Sequence, residues 1–285
     1  MNEFIMPKVC VVILNYNTYQ LTIKEFANIE EKLDYENLEI VIVDNNSSNS
    51  SCDEIQKAIN VSPKKYEYTL LSSVENGGYA KGTNIGIREA IKKESDYILI
   101  INNDILFEVP DTISQMVLFM ENHPEVGAVS PRIVSLDGSH DKPIYYKKPS
   151  FGDLSFGISS FVRGVNKQDD ELVYPIYAPR GSCMLIREDD IKRVGLLDEG
   201  TFLYYEEPIF AEKLSSIGKT VYHYGKVHVI HNHAETIKSN ISRKRNRAIV
   251  VQSMDYYLKK YRKFNAFERM ICRLVRKYAY LLSHK

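Results

Sequence analysis

The sequence predicts an α/β protein built on a parallel sheet, and three observations predict it. Short, unbroken apolar runs recur in the N-terminal half at Val9–Leu14, Glu39–Val43, Tyr68–Ser72 and Tyr97–Ile101. Runs this short and this apolar read as strands buried on both faces. Between them lie stretches with apolar residues at helical spacing, so the order is β-α-β-α-β-α-β. Each run also ends in polar residues, and right-handed crossovers carry all those ends to one edge of one sheet. Open α/β sheets bind ligands along that edge.

The chain has 285 residues, 44% apolar and 26% charged, enough to bury a sizeable core and too apolar for disorder. Net charge is zero, yet Arg243–Lys285 holds 13 Lys and Arg against two acids, Asp255 and Glu268, so the tail is +11 and the remainder −11. That asymmetry predicts a tail that meets an anionic surface. Cys10, Cys52, Cys183 and Cys272 show no CxxC spacing and lie mostly in apolar or helical contexts, as buried free thiols do. The first apolar run is too short for the core of a signal peptide, and no stretch approaches the ~18 apolar residues of a membrane span. These features predict a cytoplasmic chain.

Val9–Leu14 empties into Asn15-Tyr16-Asn17-Thr18, where Asn17 or Thr18 can cap a helix carrying Leu21, Ile23, Phe26 and Ile29. Glu39–Val43 ends in Asp44-Asn45-Asn46-Ser47-Ser48. A polar turn with an N-cap accounts for that loop, but an acid ending the second strand is also where many nucleotide sites read a base or ribose. Tyr68–Ser72 leads into a loop from Glu75 to Asn84 that has neither GxGxxG nor GxxxxGK[ST], which counts against a dehydrogenase or P-loop site. Its three glycines allow close backbone approach, and Lys81 adds a cation at a helix start; together they suit a diphosphate. Ile85, Ile87, Ala90 and Ile91 carry a helix back to the run YILIINND, Tyr97–Asp104. Asp104 can give a hard oxygen to a divalent metal, and Asn102 and Asn103 offer amides. A turn ahead of the helix near Asp111 would explain this motif alone; four polar loops meeting at one edge argue against four coincidental turns.

A helix (Asp111–Asn122) and a strand (Val126–Ser130) follow, then a polar, poorly periodic stretch from about Asp137 to Tyr177, read as an acceptor-side loop or lid. Arg180–Ile186 is a strand entered through glycine, Glu188–Val194 a short helix and Gly195–Asp198 a turn. Pro208 suits the first turn of a helix spanning Ile209–Ile217, so Glu206 and Glu207 sit at its N-terminus. The helix dipole alone favours acids there by a few tenths to ~1 kcal/mol. Behind the aromatic run Phe202-Leu203-Tyr204-Tyr205, at least one carboxylate is desolvated and its pKa raised toward that of a general base. Thr220–Tyr222 and Val227–Ile230 read as strands, followed by His231-Asn232-His233, which can ligate a metal or contact phosphate. From Ala248 onward apolar residues such as Met254, Leu258, Phe264, Phe267, Ile271 and Leu274 recur every three or four positions, with Lys and Arg opposite. Three uses stay open for this tail: a helix folded back with a solvated basic face, an interfacial helix on an anionic membrane surface through 243–285, or a homo-oligomer contact. It carries no RNA-binding motif, and nucleic acid is not an expected partner.

Taken together, the motifs resemble the family 2 inverting glycosyltransferases of GT-A fold, within them the rhamnosyltransferase-like group that assembles bacterial surface polysaccharides. The matching segments are VVILNYN (Val11–Asn17), VIVDNNSS (Val41–Ser48), ENGGYAKGTNIGI (Glu75–Ile87) and ILIINND (Ile98–Asp104). They continue with SPRI (Ser130–Ile133), RGSCMLIRE (Arg180–Glu188), GLLDEGTFLYYEE (Gly195–Glu207) and VIHNH (Val229–His233). The resemblance implies a GT-A domain over 1–240, with a donor half (about 1–105) and an acceptor half (about 106–240), and a helical basic segment over 241–285.

It also implies roles. Asn15, Tyr16, Asn17 and Asp44 would contact base and ribose, and Asn76, Gly77, Gly78, Lys81 and Asn84 would line the donor side. The DxD position, here Asn102-Asn103-Asp104, would carry Mn2+ or Mg2+ on the diphosphate, aided by His231 or His233. Glu206 and Glu207 match the pair that holds the catalytic base, with Glu207 at the family's aspartate. Two departures stand out: Asn102 replaces the first DxD acid, and the base is a glutamate. The implied activity is a single-displacement transfer from a UDP- or dTDP-sugar to a hydroxyl of a lipid-linked capsular or cell-wall polysaccharide, at the inner face of the cell membrane. Two alternatives are a catalytically inactive donor-binding or scaffolding subunit, and a sugar-nucleotide pyrophosphorylase, which would be expected to carry a Gly-rich basic loop after the first strand.

Overall fold

The computed structural model describes residues 6–139, 145–156, 171–232 and 242–282. Its strands are β1 (Val9–Asn15), β2 (Leu38–Asp44), β3 (Glu67–Ser72), β4 (Tyr97–Asn102), β5 (Ile105–Phe107), β6 (Val126–Ser135), β7 (Val173–Ile176), β8 (Cys183–Arg187) and β9 (Thr220–His231). The helices are α1 (Tyr19–Lys32), α2 (Ser51–Val61), α3 (Tyr79–Lys92), α4 (Thr112–Asn122) and α5 (Phe151–Phe156). They continue with α6 (Glu188–Arg193), α7 (Glu206–Ser216), α8 (Arg243–Lys260) and α9 (Ala266–Leu282). The strands form one sheet in the order β3-β2-β1-β4-β8-β6-β9-β5, with β7 paired to β9.

The unbroken apolar strands follow from cover on both faces. Val9, Val11 and Ile13 of β1 join a core with Phe26 and Ile29 of α1 and Ile55 of α2, whereas Cys10 and Val12 join a second core with Ala80, Ile87 and Ala90 of α3. Adjacent side chains of a strand point to opposite faces, so every position must be apolar. β1, β2, β3 and β4 run parallel, and their register brings the ends together: Asn15 lies beside Asp44, Leu14 beside Asn102, and Asp44 beside Ser72. β8 runs antiparallel to β4 with Cys183 beside Ile101, so the turn that precedes β8 reaches the same edge. The backbone N–H of Asn102 donates to the Ser182 carbonyl at 3.0 Å.

Several elements differ from the sequence expectation. Thr220–Tyr222 and Val227–Ile230 are one twelve-residue strand, β9, which continues through Gly225 because the N–H of Gly225 is bonded to the Leu172 carbonyl at 3.0 Å. β5 has three residues, too few to show a period, and is held by pairing with the end of β9. α7 begins at Glu206, not Ile209, because both glutamates already have helical conformation behind Tyr205. β8 begins at Cys183, leaving Arg180–Ser182 in a turn. The polar stretch before Tyr177 contains α5 and β7; 140–144 and 157–170 lie outside the described residues.

α8 folds back on the domain, starting at Arg243, five residues before the expected start. Its Val250, Met254, Tyr257 and Leu258 form a third core with Tyr205 and Ile209 at the start of α7, and with Leu154 and Cys272. Asp198 fixes the far end of α8: its Oδ1 accepts from the Tyr256 hydroxyl at 2.8 Å and its Oδ2 from Lys260 Nζ at 2.7 Å, with the Tyr261 hydroxyl as a further donor. Although burial opposes ionisation, these donors hold the Asp198 carboxyl well below the usual carboxylate range. No helix among the described residues is long and apolar enough to cross a membrane.

Because the folded carboxyl titrates below the unfolded one, the Asp198 contribution is fully present above the unfolded pKa and is lost as pH falls through the folded pKa. Asp198→Asn should therefore cost ~1–3 kcal/mol in urea unfolding at neutral pH. The gap from wild type should narrow only below about pH 4, where the unfolded carboxyl takes up its proton. An equal stability of the two proteins at neutral pH would show that α8 is not fixed through Asp198.

Candidate active site

At the carboxyl edge the polar side chains first bond to one another. Asn15, fully buried at the end of β1, donates from Nδ2 to Asp44 Oδ1 at 2.7 Å and to Ser47 Oγ at 3.2 Å, and accepts from the Thr22 hydroxyl at 2.9 Å. Asn103 donates to the hydroxyls of Thr22 at 2.9 Å and Thr18 at 2.8 Å. Ser47 donates from its hydroxyl to Asp44 Oδ1 at 2.6 Å and from its N–H to Asp44 Oδ2 at 3.0 Å. A continuous set of hydrogen bonds thus joins the ends of β4, β1 and β2 to the first turn of α1. Asn17, at φ 60°, accepts from the Ser48 N–H at 2.8 Å and closes the loop after β1 onto the loop after β2.

The glycine loop packs against the segment that leads to the glutamates. Gly78 has φ +89° and approaches Phe202 so closely that a Cβ there would lie 2.1 Å from the Phe202 carbonyl oxygen. The next N–H, of Tyr79, donates to that carbonyl at 2.8 Å. Tyr204 and Tyr205 then take φ of 73° and 70°, the left-handed region, at a cost of order 1 kcal/mol each. α8 holds them there: the Tyr204 hydroxyl donates to Asn246 Oδ1 at 2.8 Å, Ser253 donates to the Leu203 carbonyl at 2.7 Å, and the Tyr205 ring packs 5.6 Å from that of Tyr257.

This strained pair delivers Glu206 and Glu207. Glu206 is buried, and its Oε1 has no hydrogen-bond partner among the described residues. Burial, then the charge of Glu207, pushes its carboxyl well above the ordinary range, against donors from the backbone of Glu206 and Tyr204. Glu207 is half-buried. Burial raises its carboxyl too, offset by backbone donors of Glu207 and Gly181 and by the Arg180 guanidinium. Gly181 exists for this contact, since a Cβ there would meet Glu207 Oε1 at 2.8 Å. The Tyr79 hydroxyl donates to the Gly181 carbonyl at 2.8 Å and ties the glutamate to the glycine loop.

The three-residue strand β5 has one consequence at the site: its pairing with β9 sets Ile105 opposite His231 and so brings His231 to Asp104. His231 Nε2 lies 3.1 Å from Asp104 Oδ1, and both side chains are buried. That spacing is about the edge of an octahedron with ~2.1 Å bonds, so a hard oxygen and an imidazole nitrogen are presented as two donors of one divalent cation. Among the described residues no three His, Cys, Asp or Glu side chains cluster as a metal site, so the remaining ligands would be diphosphate oxygens or water. The pair fits Mn2+ or Mg2+ on those terms. Behind Asp104 lies Glu25 of α1, fully buried, whose carboxyl burial and then the Asp104 charge push well above the ordinary range.

The predicted donor residues therefore divide. Asp44, Tyr16, the backbone of Gly77 and Gly78, half-buried Asn102, Asp104 and Glu207 lie on the carboxyl edge or the loops that cover it. Five polar side chains are instead engaged by other groups of the protein. Asn84 accepts from the Leu197 N–H at 3.0 Å and donates to the Leu197 carbonyl and Glu199, so it holds the turn after α6 instead of facing the edge. Asn15 and Asn103 are consumed by the buried network, and Lys81 is ion-paired with Glu75 in its own loop. Asn76 accepts from the Gly78 N–H and from Asn45 Nδ2, both at 3.1 Å, which sets the loop's shape. His233 lies outside the described residues. Sequence reasoning missed Ser47, Gly181 and Glu25. Only Ser47 carried a signal, three residues after an aspartate as in local side chain-to-backbone turns.

Residues 10–195 match the model of glycosyl transferase family 2. The chain belongs to that family. Among curated relatives it is 24% identical over 231 residues to the low-salt glycan biosynthesis hexosyltransferase Agl10 of Haloferax volcanii, covering 81% of this chain and 69% of that one. It is 29% identical over 175 residues to the rhamnosyltransferase WbbL of Escherichia coli K12, covering 58% of this chain and 65% of that one. The fold matches the mannosyltransferase PcManGT of Pyrobaculum calidifontis, solved with GDP-Man and Mn2+, at TM-score 0.63 and 19% identity over 95% of this chain and 70% of that one. It also matches GalNAc-T7, solved with UDP, GalNAc and Mn2+, at TM-score 0.64 and 14% identity over 90% of this chain and 50% of that one. The sheet with its flanking helices is thus a GT-A fold.

In this family 2 glycosyltransferase the contact of Gly78 with Phe202 positions the segment that carries both glutamates. Gly78→Ala should lower the unfolding free energy by ~1–3 kcal/mol, since a side chain is disfavoured at that φ and its Cβ would overlap backbone. Chemical denaturation measures this, and unchanged stability would mean that the loop and the segment are not packed together.

Proposed function

We propose that the protein is an inverting glycosyltransferase that moves a sugar from a nucleoside-diphosphate sugar to a hydroxyl of a lipid-linked glycan during polysaccharide assembly. The observation that carries this reading is the desolvated Glu207 carboxyl, facing a bare Gly181 on the same sheet edge as Asp44 and the Asp104–His231 pair. A raised pKa makes a carboxylate a stronger base, and the bare Gly181 lets the Glu207 side chain pack against the turn before β8. The glycan part of the proposal draws on the likeness to Agl10, a hexosyltransferase of glycan biosynthesis, and the sugar transfer on the likeness to it and to the rhamnosyltransferase WbbL; the lipid-linked acceptor is carried over from the motif resemblance.

Asp44 and Tyr16 read the base and ribose, as acids at second-strand ends do in nucleotide sites. Glu207 takes the proton of the acceptor hydroxyl as the hydroxyl oxygen bonds to the anomeric carbon and the bond from that carbon to the diphosphate oxygen breaks. One displacement inverts configuration, so one base suffices. Asp104 and His231 would hold a divalent cation, which would offset the charge left on the diphosphate. Glu206, deeper and bonded to the backbone of its own turn, is the positioning partner of Glu207.

Thermal unfolding with UDP-, dTDP- and GDP-sugars, with and without Mn2+, tests the donor site, because a ligand of the native state raises the melting temperature with occupancy. One nucleotide class should stabilise the protein in a metal-dependent way; no shift with any of them would refute the donor reading. Glu207→Gln should lower kcat ~10²–10⁴-fold while that shift persists. Wild-type kcat/KM should climb with pH through a carboxyl pKa above the ordinary range, since the base acts deprotonated. A variant with near-native turnover would refute the assignment of the base.

A further inference from the structure

We propose that α9 docks on an anionic lipid bilayer through the exposed stripe Phe267, Met270 and Leu274. Among the described residues eight large apolar side chains are exposed, and five of them, Val61, Val74, Leu118, Leu136 and Leu172, lie singly on separate elements. Such isolated residues are ordinary on any surface. The other three share α9, at 65%, 43% and 58% exposure. Their spacing of i, i+3 and i+7 puts them within an arc of about 60° at ~100° per residue.

The opposite side of the helix is already used. Cys272 is buried in the third core and Arg269 reaches back to Asp255 of α8 at 3.2 Å, while Arg273, on the flank between that side and the stripe, lies 3.7 Å from the same carboxylate. The stripe is therefore the face left over after α9 has packed. Its border is cationic: Arg273 and Lys277 are exposed one turn apart beside it, and Lys259 and Lys263 are exposed at the turn entering α9. The one acid of α9, Glu268, is turned to the helix start, where its Oε2 accepts from the Asn265 N–H at 2.7 Å while Asn265 Oδ1 accepts from the Glu268 N–H at 3.0 Å.

Charge chooses the occupant. Residues 243–285 carry 13 basic and two acidic groups, so pairing two copies through this stripe would bring two tails of +11 together. An anionic bilayer offers apolar chains for the stripe and headgroup charge for its border, the arrangement of an interfacial helix. A spanning role is ruled out for the described helices by their length and charge. The proposal rests on this surface and not on the transferase assignment, so donor binding and bilayer binding succeed or fail separately.

The test is co-sedimentation of the full chain with vesicles of phosphatidylcholine alone or mixed with phosphatidylglycerol. Binding should require phosphatidylglycerol and weaken at least about tenfold between roughly 0.1 and 0.5 M salt. Phe267→Ser, Met270→Ser and Leu274→Ser combined should weaken it by a further factor of at least ~10, and Lys277→Glu should weaken it too. Since all three side chains are exposed, the triple variant should keep the wild-type far-UV spectrum and melting temperature, which separates lost docking from lost folding. Equal binding to pure phosphatidylcholine, no binding to either vesicle, or wild-type binding by the triple variant would overturn the proposal. So would self-association in sedimentation velocity that the triple variant abolishes without any vesicle binding, which would assign the stripe to a second copy.

Discussion

The carboxyl edge of the sheet depends on a buried amide. Asn15 ends the central strand of the first four and has no exposed surface, yet all of its side-chain bonding capacity is directed at Thr22, Asp44 and Ser47. Buried polar oxygens need hydrogen-bond donors, and Asp44 accepts three hydrogen bonds from Asn15 and Ser47. The same amide is bonded through Thr22 to Asn103, so the ends of β1, β2 and β4 are fixed relative to α1 as one unit. Parallel register alone would align the strands; the amide network fixes the side chains that extend past them.

A second constraint acts on the acceptor side and has the opposite character. In the edge network left-handed backbone falls on asparagines, Asn17 and Asn46, which tolerate it, whereas before α7 it falls on the bulky Tyr204 and Tyr205. Two consecutive bulky residues in that region persist only where packing and hydrogen bonds over-determine them. Here α8 does so through Asn246, Ser253 and Tyr257, while Asp198 anchors the end of α8 to the turn after α6. The C-terminal helices are thus part of the support for Glu206 and Glu207. If α9 rests on a bilayer, the helix that braces the glutamates is the one that α9 packs against.

Much of this was legible in the sequence, for identifiable reasons. β1, β2 and β4 were placed to within a residue at each end because strands covered on both faces leave an unbroken apolar signature. The glutamate pair was visible because Pro208 marks a helix start and aromatic residues precede it. The asparagines were harder. A sequence places polar residues at an edge but does not reveal whether they face a ligand or each other, and Asn15, Asn84 and Asn103 face each other or the chain. β5 was invisible because three residues carry no period, and with it went the pairing that joins His231 to Asp104. Glu25 sits among Leu21, Thr22, Phe26 and Ile29 on the buried side of α1, where nothing local distinguishes an acid directed at Asp104 from one directed at solvent.

The two adjacent glutamates differ in environment although they share the first turn of α7. Both carboxyls are raised by burial, so basicity alone does not choose between them. Access does. Glu206 is buried, with its own and the Tyr204 backbone as donors. Glu207 is half-buried, and the Arg180 charge beside it favours its ionised form, as the proposed base role requires. Ionising Glu207 makes ionisation of Glu206 harder, since the two charges repel. In the proposed mechanism the half-buried Glu207 is therefore the base, and Glu206 acts on it through charge and position.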